Sequence, residues 1–175
     1  GFGVGPYGRI LRVGQRTLVA NVREGESDQS FLAWSYDDGR SWPEITTISR
    51  KRKTETWIEP LSDRDWIGYT RQGAGGAFVC RSHDGGKSWP DWQEIQPYRR
   101  RVPGCIVQLP GNRVAVIHTW RQYPFGTRAF VSHDGGKTFE TNLSYVLCDS
   151  FWMEDTGYPS AVVFDDGTVV VAAYA

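Results

Sequence analysis

The stretch Ser82-His83-Asp84-Gly85-Gly86-Lys87-Ser88-Trp89 decides the fold, because the chain contains three versions of it. The other two are Ser35-Tyr36-Asp37-Asp38-Gly39-Arg40-Ser41-Trp42 and Ser132-His133-Asp134-Gly135-Gly136-Lys137-Thr138-Phe139. All three align without gaps, and they begin 47 and 50 residues apart. This spacing is typical of a β-propeller, in which each blade is a four-stranded antiparallel sheet.

Each residue type in the motif suits a tight hairpin turn. An aspartate accepts hydrogen bonds from backbone N–H groups, a glycine adopts positive φ without steric cost, and the terminal aromatic ring fills the gap between neighbouring sheets. We therefore interpret the motif aspartates as structural rather than catalytic. The same holds for Ser82-His83-Asp84, since a catalytic triad is assembled in space and not from consecutive residues.

A second series of turns lies between the motifs, and each turn separates two strand-like runs. These turns are Gly14-Gln15, Asp63-Arg64, Pro110-Gly111-Asn112 and Asp165-Asp166-Gly167. The pattern predicts an all-β fold: one incomplete propeller domain of about three and a half blades over residues 1–175, with blades at about 8–49, 57–98, 104–147 and 157–175. Because an open ring leaves strand edges unpaired, we expect the protein to contain further blades.

Composition narrows the classes of function. The 175 residues carry 20 basic and 20 acidic side chains, and this balance argues against a general affinity for nucleic acid. No apolar run approaches the roughly 20 residues of a membrane-spanning helix. Cys80, Cys105 and Cys148 lack the spacing of metal ligands and are interpreted as core residues. We predict no metal and no cofactor.

Strand order predicts that five side chains approach one face of the ring. The first strand of each blade crosses the ring and the second returns, so the starts of first strands and the ends of second strands share a face. Glu59 and Tyr158 are predicted at starts, and Arg23, Arg71 and Arg121 at ends. Guanidinium groups bind carboxylates through paired hydrogen bonds, so the arginines predict a site for an acidic ligand.

The three motifs resemble the Asp-box (BNR) repeats of the sialidase superfamily, whose members are six-bladed propellers, and the resemblance covers essentially the whole chain. Segments between the motifs resemble the later blades of sialidase-like proteins: Trp57-Ile58-Glu59-Pro60 followed by Arg71, Val114 to Trp120 followed by Arg121, and Gly157-Tyr158-Pro159-Ser160-Ala161. The resemblance implies that the chain is a C-terminal piece, blades three to six, and it is compatible with a secreted or periplasmic protein.

The resemblance also implies roles. In the family an arginine triad binds the carboxylate of a sugar acid, a Tyr–Glu pair supplies the nucleophile and an aspartate is the general acid. Tyr158 is then the expected nucleophile, Glu59 its base, and Arg71, Arg121 and Arg23 the expected substrate-binding residues. The general acid and the remaining arginine are expected in other blades. The implied activity is that of a retaining exo-glycosidase, which releases a terminal acidic sugar such as sialic acid.

Two departures from the family pattern leave alternatives open. The strand-like run from Val169 to Ala173 lacks a glutamate where sialidases often have a supporting acid, and Pro159 replaces a small polar residue after Tyr158. One alternative is a related propeller enzyme that acts on another acidic polysaccharide with different proton-transfer residues. The other is a non-catalytic propeller that binds glycan or protein. The sequence specifies neither the sugar nor the oligomeric state.

Overall fold

The computed structural model describes residues 4–24, 29–49, 53–72, 76–96 and 102–175. These residues form fourteen β-strands and no helix, and the predicted all-β fold is thereby confirmed. Within the described ranges no helix is long and apolar enough to cross a membrane.

Twelve strands form three four-stranded antiparallel sheets in chain order, which we call blades 1 to 3, and the last two strands form blade 4. Blade 1 contains β1 (Val4–Arg12), β2 (Leu18–Glu24), β3 (Gln29–Ser35) and β4 (Glu44–Ser49). Blade 2 contains β5 (Lys53–Pro60), β6 (Trp66–Gln72), β7 (Ala77–Ser82) and β8 (Asp91–Gln96). Blade 3 contains β9 (Gly104–Leu109), β10 (Arg113–Trp120), β11 (Phe125–Ser132) and β12 (Tyr145–Phe151), and blade 4 contains β13 (Gly157–Val163) and β14 (Val169–Tyr174).

Two blades begin earlier than the sequence indicates. Strand β5 starts at Lys53 rather than at Trp57, and β1 starts at Val4 rather than at Gly8. The polar run before Trp57 reads as a loop, but the structure buries Glu55 and Thr56 inside the sheet. Thr56 is accommodated because its hydroxyl is hydrogen-bonded to the hydroxyl groups of Ser30 at 3.0 Å and Thr70 at 2.8 Å.

The blades pack against one another through apolar cores. Their first strands are neighbours, since β1 contacts β5, β5 contacts β9, and β9 contacts β13. One core contains side chains of blades 1 and 2, among them Leu32 and Trp66. The other joins blades 2, 3 and 4 and includes Tyr69 and Ile117. Burial of these side chains holds each blade to the next.

The motif turns are closed by the same hydrogen bonds in every copy, and blade 2 is the example. The Ser82 hydroxyl donates to Asp84 Oδ1 at 2.7 Å and accepts from the Gly86 N–H at 2.8 Å. Asp84 in turn accepts from the backbone N–H and the hydroxyl of Ser88, at 2.8 and 2.6 Å. Equivalent bonds close the turns of blades 1 and 3. The motif aspartates are therefore engaged in holding turns.

The motif aromatics and the cysteines, which are predicted as core residues, differ in how deeply they are buried. Trp89 and Phe139, the motif aromatics of blades 2 and 3, are buried between blades, and Trp42 of blade 1 is partly buried. All three cysteines are free. Cys80 and Cys105 lie in the core as expected, whereas Cys148 is partly exposed because it lies on β12, the outer strand of its blade.

Candidate active site

A buried glutamate, Glu55, lies at the centre of a cluster of polar side chains. Its side chain is 3% exposed. The Tyr158 hydroxyl donates to Glu55 Oε1 at 2.9 Å, and Arg71 Nη1 lies 2.7 Å from Oε2. Arg23 Nη1 lies 3.3 Å from Oε1. These partners come from blades 4, 2 and 1 respectively, so the cluster exists only when the blades are assembled.

Arg71 connects the carboxylate to the phenol. Besides its ion pair with Glu55, its Nη1 donates to the Tyr158 hydroxyl oxygen at 3.4 Å. The buried Nε of Arg71 has no hydrogen-bond partner among the described residues. A buried donor without a partner is rare, because it has lost its hydrogen bond to water without replacement. This guanidinium therefore has capacity for a further anionic oxygen.

The backbone around Tyr158 is bent in a way that depends on Gly157. Tyr158 has φ +49° and Gly157 has φ +143°. A Cβ at residue 157 would lie 2.4 Å from Thr119 Oγ1, so a larger residue does not fit there. The left-handed conformation costs a tyrosine roughly 1–2 kcal/mol, and strain of this kind concentrates at functional sites. The bend presents the phenol to Glu55.

Tyr158 is the most accessible phenol in contact with this cluster. Its side chain is 41% exposed and packs edge-on against Tyr7, with ring centroids 6.1 Å apart. Desolvation raises the pKa of Tyr7 well above its usual value, and the charge of Glu55 adds to that effect. Burial likewise raises the pKa of Tyr69. Both neighbours therefore stay protonated, and Tyr158 alone hydrogen-bonds to the buried carboxylate among the described tyrosines.

Arg121 lies at the same end of the blades, just after β10. Its Nε and Nη2 donate to the carbonyl oxygen of Thr156 at 3.2 and 2.9 Å, and Nη2 is 3.6 Å from Asp155 Oδ1. These contacts hold the segment that leads into Tyr158. Three of the predicted residues, Tyr158, Arg71 and Arg23, thus meet at Glu55, and Arg121 supports the adjoining chain.

Glu59 lies elsewhere, and its predicted contact with Tyr158 is corrected. The Glu59 carboxylate forms an ion pair with Arg9 and accepts a hydrogen bond from the backbone N–H of Gln108 at 3.3 Å. Glu55 and Glu59 are four residues apart on one strand, which separates them by about 13 Å along the strand axis. Glu59 is therefore near the turn end of β5, among the first strands of blades 1, 2 and 3.

The hairpin between β5 and β6 contains the signal that identifies Glu55. Its turn closes with hydrogen bonds from the N–H groups of Leu61 and Ser62 to the carbonyl of Asp65. Counting outward from that turn brings Glu55 opposite Arg71, the observed register. A glutamate paired across two strands with a predicted ligand-binding arginine is a better candidate than Glu59, which is predicted at the start of a first strand but lies near the end of β5.

Clefts also lie at the end of the blades that carries the motif turns, opposite the Glu55 cluster. Two of them, each of about 630 Å³, open between blades 1 and 2 and between blades 2 and 3. Their walls include the motif turns, whose aspartates are already occupied by hydrogen bonds within each turn. The clefts follow from the divergence of neighbouring sheets, and they contain none of the residues that surround Glu55.

Comparison with known proteins shows the fold but no family. No family model and no curated protein matches the chain. A protein of unknown function from Dyadobacter fermentans is similar in structure, with 24% identity and a TM-score of 0.74 over 97% of this chain and 49% of that one. The NanB sialidase of Streptococcus pneumoniae is similar with 19% identity and a TM-score of 0.67, over 95% of this chain and 27% of the sialidase. A leech intramolecular trans-sialidase is similar with 17% identity and a TM-score of 0.63, over 94% and 27%.

These similarities show that the chain has a sialidase-like fold, the propeller architecture of this group of glycoside hydrolases. The chain spans about half the length of the Dyadobacter fermentans protein and about a quarter of the length of the two sialidases. At this level of identity the similarity concerns the fold alone, because one propeller architecture supports many activities.

Proposed function

We propose that the protein is a sialidase-type glycoside hydrolase that releases a terminal acidic sugar with retention of configuration. Tyr158 is the nucleophile and Glu55, in place of Glu59, is the base that takes its proton. The observation that carries this proposal is the hydrogen bond of 2.9 Å from the Tyr158 hydroxyl to a carboxylate that is almost fully buried.

The chemistry explains the choice of a phenol. A neutral tyrosine approaches an anomeric carbon that carries a carboxylate without the charge repulsion that an Asp or Glu nucleophile meets. As the phenol attacks the anomeric carbon, its proton moves to Glu55 Oε1, the glycosidic bond breaks, and the leaving sugar takes a proton from the general acid. Water then hydrolyses the covalent glycosyl-tyrosine and releases the acidic sugar. Arg71 Nη1 stabilises the negative charge that develops on the phenolic oxygen 3.4 Å away.

The arginines provide the acid-binding part of the site. The buried Nε of Arg71 has no hydrogen-bond partner among the described residues. Arg23 and Arg121 place two more guanidinium groups at the same end of the blades. We assign to them the carboxylate of the substrate, with Arg71 as the central contact. The family resemblance assigns the general acid and a further arginine to blades outside these 175 residues, and that assignment stays a proposal.

The test compares turnover with binding in the full-length protein. Tyr158→Phe removes the nucleophilic oxygen and should lower kcat by about three orders of magnitude or more, while the Kd for the acidic sugar stays within about twofold. Tyr174→Phe is the matched control, since its ring stacks on Tyr158 at 6.0 Å without contacting Glu55, and it should retain activity. Arg71→Met should weaken binding of the acidic sugar by about 1.5–3 kcal/mol, the range of a charge-assisted hydrogen bond.

The outcomes separate the three candidate functions. Full activity of Tyr158→Phe would exclude the tyrosine mechanism and favour an enzyme that uses the arginines with different proton-transfer residues. Binding of an acidic glycan by the wild type without turnover, unaffected by Tyr158→Phe and Glu55→Gln, would favour the non-catalytic propeller. Loss of turnover in Glu55→Gln but not in Glu59→Gln would support the reassigned base.

A further inference from the structure

A lysine of the motif turn bridges the cleft between blades 1 and 2. The Lys87 ammonium lies 2.7 Å from Glu44 Oε1 and 3.3 Å from the Tyr36 hydroxyl. It also lies 3.6 Å from the centre of the Trp34 ring. Lys87 belongs to blade 2 and its three partners to blade 1, so an ion pair and a cation–π contact cross the cleft. Here the motif lysine binds a carboxylate of the protein itself.

The equivalent lysine between blades 2 and 3 has different surroundings. Alignment of the motifs puts Lys137 in the place of Lys87, and it fills the places of Trp34, Tyr36 and Glu44 with Arg81, His83 and Asp91 respectively. The arginine offers no ring to a lysine, and its own charge is positive. The aspartate is bound within its own blade, because its Oδ2 lies 2.8 Å from His83 Nε2. Lys137 therefore lacks the partners that Lys87 has.

Positive groups collect around this lysine. The Lys137 ammonium has no hydrogen bond, ion pair or ring contact with any residue that the structure describes. Arg81 Nη1 donates to the carbonyl oxygen of Gly135, two residues before Lys137, at 2.9 Å. Arg113 lines the same cleft, and its Nε donates to the carbonyl oxygen of Pro110 at 2.8 Å. Two guanidinium groups are thus held beside an unpaired ammonium, and this arrangement attracts an anion.

The rest of the cleft suits a ligand with several oxygen atoms. Its volume is about 630 Å³, which is enough for a small sugar. The three carboxylates in its walls are already engaged, because Asp134 closes its own turn and the other two share the ring of His83. A phosphate group has three acceptor oxygens, so it can meet donors of both blades at once. Amide side chains, which hydrogen-bond to hydroxyl groups, complete the walls: Gln93, Gln108 and Asn112.

We propose that the cleft between blades 2 and 3 is a second binding site, for a phosphate or sulfate group that is either free or an ester of a sugar. Lys137 is the central contact and takes from the ligand the negative partner that Lys87 has in Glu44. Arg81 and Arg113 add guanidinium donors from blades 2 and 3. The site lies at the end of the blades opposite Glu55, and it does not depend on the proposed function of the Glu55 cluster.

The test is an NMR titration of the full-length protein with inorganic phosphate at low ionic strength. The probe is the indole N–H signal of Trp92, which lines the cleft, and the signal is identified by its loss in Trp92→Phe. Lys137→Gln should weaken phosphate binding about tenfold, the effect of one lost charge-assisted hydrogen bond. Lys87→Gln is the matched control: it removes the same charge from the neighbouring motif, where the lysine already binds Glu44, and should leave the Kd within about twofold.

A double variant tests the cause of the vacancy. His83→Tyr combined with Asp91→Glu gives Lys137 two of the partners that Lys87 has in blade 1. The new carboxylate should compete with the ligand, so that phosphate binding weakens at least as much as in Lys137→Gln. The free energy of unfolding should not fall, because the variant gains an ion pair between blades. Unweakened phosphate binding in this folded variant would contradict the proposal.

Further arms identify the ligand and its place. Glucose 6-phosphate that binds more tightly than phosphate would support a sugar ester, and equal Kd values would support the free anion. Arg71→Met should leave the shift of the Trp92 signal intact, since Arg71 belongs to the Glu55 cluster at the other end of the blades. A Trp92 signal that phosphate does not move, a shift that is lost in Arg71→Met, or equal losses in Lys137→Gln and Lys87→Gln would overturn the inference.

Discussion

At the scale of single residues, two histidines lie in opposite environments. The ring of His83 is exposed and bridges Asp65 Oδ1 and Asp91 Oδ2, at 2.8 Å from each. Hydrogen bonds to these carboxylates raise the pKa of His83. His118 is fully buried and stacks on Phe130 with centroids 4.7 Å apart, and burial lowers its pKa to about 4. One histidine stabilises the fold when charged, and the other when neutral.

We expect the two rings to titrate on opposite sides of pH 6.5 in NMR spectra. The unfolded state binds a proton at His118 more readily than the folded state does. The contribution of His118 to the free energy of unfolding is therefore highest above pH 6.5, and it falls by on the order of 3 kcal/mol as the pH decreases toward 4. The contribution of His83 has the opposite sign: it is complete below pH 6.5 and is lost as pH rises through the raised pKa. Urea unfolding at pH 7 and pH 4.5 tests the effect of His118. The free energy of unfolding of His118→Phe should depend less on pH than that of the wild type. A His118 ring that titrates at pH 6.5 or above would contradict it.

At the scale of elements, the motif turn is a self-contained unit of hydrogen bonds. In blade 1 the side chain and backbone of Ser41 donate to Asp37 and lower the pKa of this carboxyl to about 2. In blade 3 hydrogen bonds from Ser132 and Thr138 also lower the pKa of Asp134. The ionised aspartate is thus the form that closes each turn.

Asp84→Ala should destabilise the protein by about 1–3 kcal/mol, because the variant loses the bonds to Ser82 and Ser88 at a solvent-exposed turn. Asp63→Ala, in the other turn of the same blade, is the control and should change stability by less than about 0.5 kcal/mol. The pKa of Asp84 is lower in the folded state than its unfolded value of about 3.8. Its carboxylate therefore stabilises the fold above pH 3.8, and this stabilisation is lost as the pH falls toward 2. Thermal unfolding should therefore show the largest difference between Asp84→Ala and wild type near neutral pH. A difference that persists undiminished at pH 2 would argue that the carboxylate charge is not involved.

At the scale of the whole molecule, the blades fit together through motif glycines. Gly136 of blade 3 has φ +80°, and a Cβ there would lie 2.4 Å from Cδ1 of Ile67, which is buried in blade 2. Gly86 of blade 2 is similarly close to the Trp66 ring and to Leu32 of blade 1. The second glycine of the motif thus serves the turn and also the contact between blades.

Gly136→Ala should destabilise the protein more than Gly111→Ala, although both glycines have positive φ. At Gly111, with φ +74°, the nearest atom to a Cβ is Arg113 Nε at 3.9 Å, so this variant has only the backbone cost of roughly 1–2 kcal/mol. Gly136→Ala adds overpacking against Ile67, which costs about 1–3 kcal/mol more. Denaturant midpoints of the two variants measure the difference. Equal midpoints would show that the interface between blades 2 and 3 yields to the extra methyl group.

Much of the candidate site was predictable from strand order, and its central acid was not. Arg71, Arg23 and Tyr158 reach one cluster because strand starts and ends alternate between two faces. Glu55 escaped prediction because its polar neighbours resemble a loop, so that the sequence predicts a strand beginning at Trp57, with Glu59 as the glutamate at its start. The register of the β5–β6 hairpin would have indicated Glu55, since it pairs this residue with Arg71.

The sequence by itself determined the repeated turns, the all-β blades and the end of each blade at which the arginines lie. These are consequences of local chemistry, since each turn is closed by residues within a few positions of one another. Only the tertiary structure decided which acid meets Tyr158, because Glu55 lies 103 residues before Tyr158 and 32 residues after Arg23. Contacts between residues so far apart in the sequence depend on how three blades pack. Hydrophobic packing between sheets is not directional, so no short sequence pattern indicates which residues it brings together.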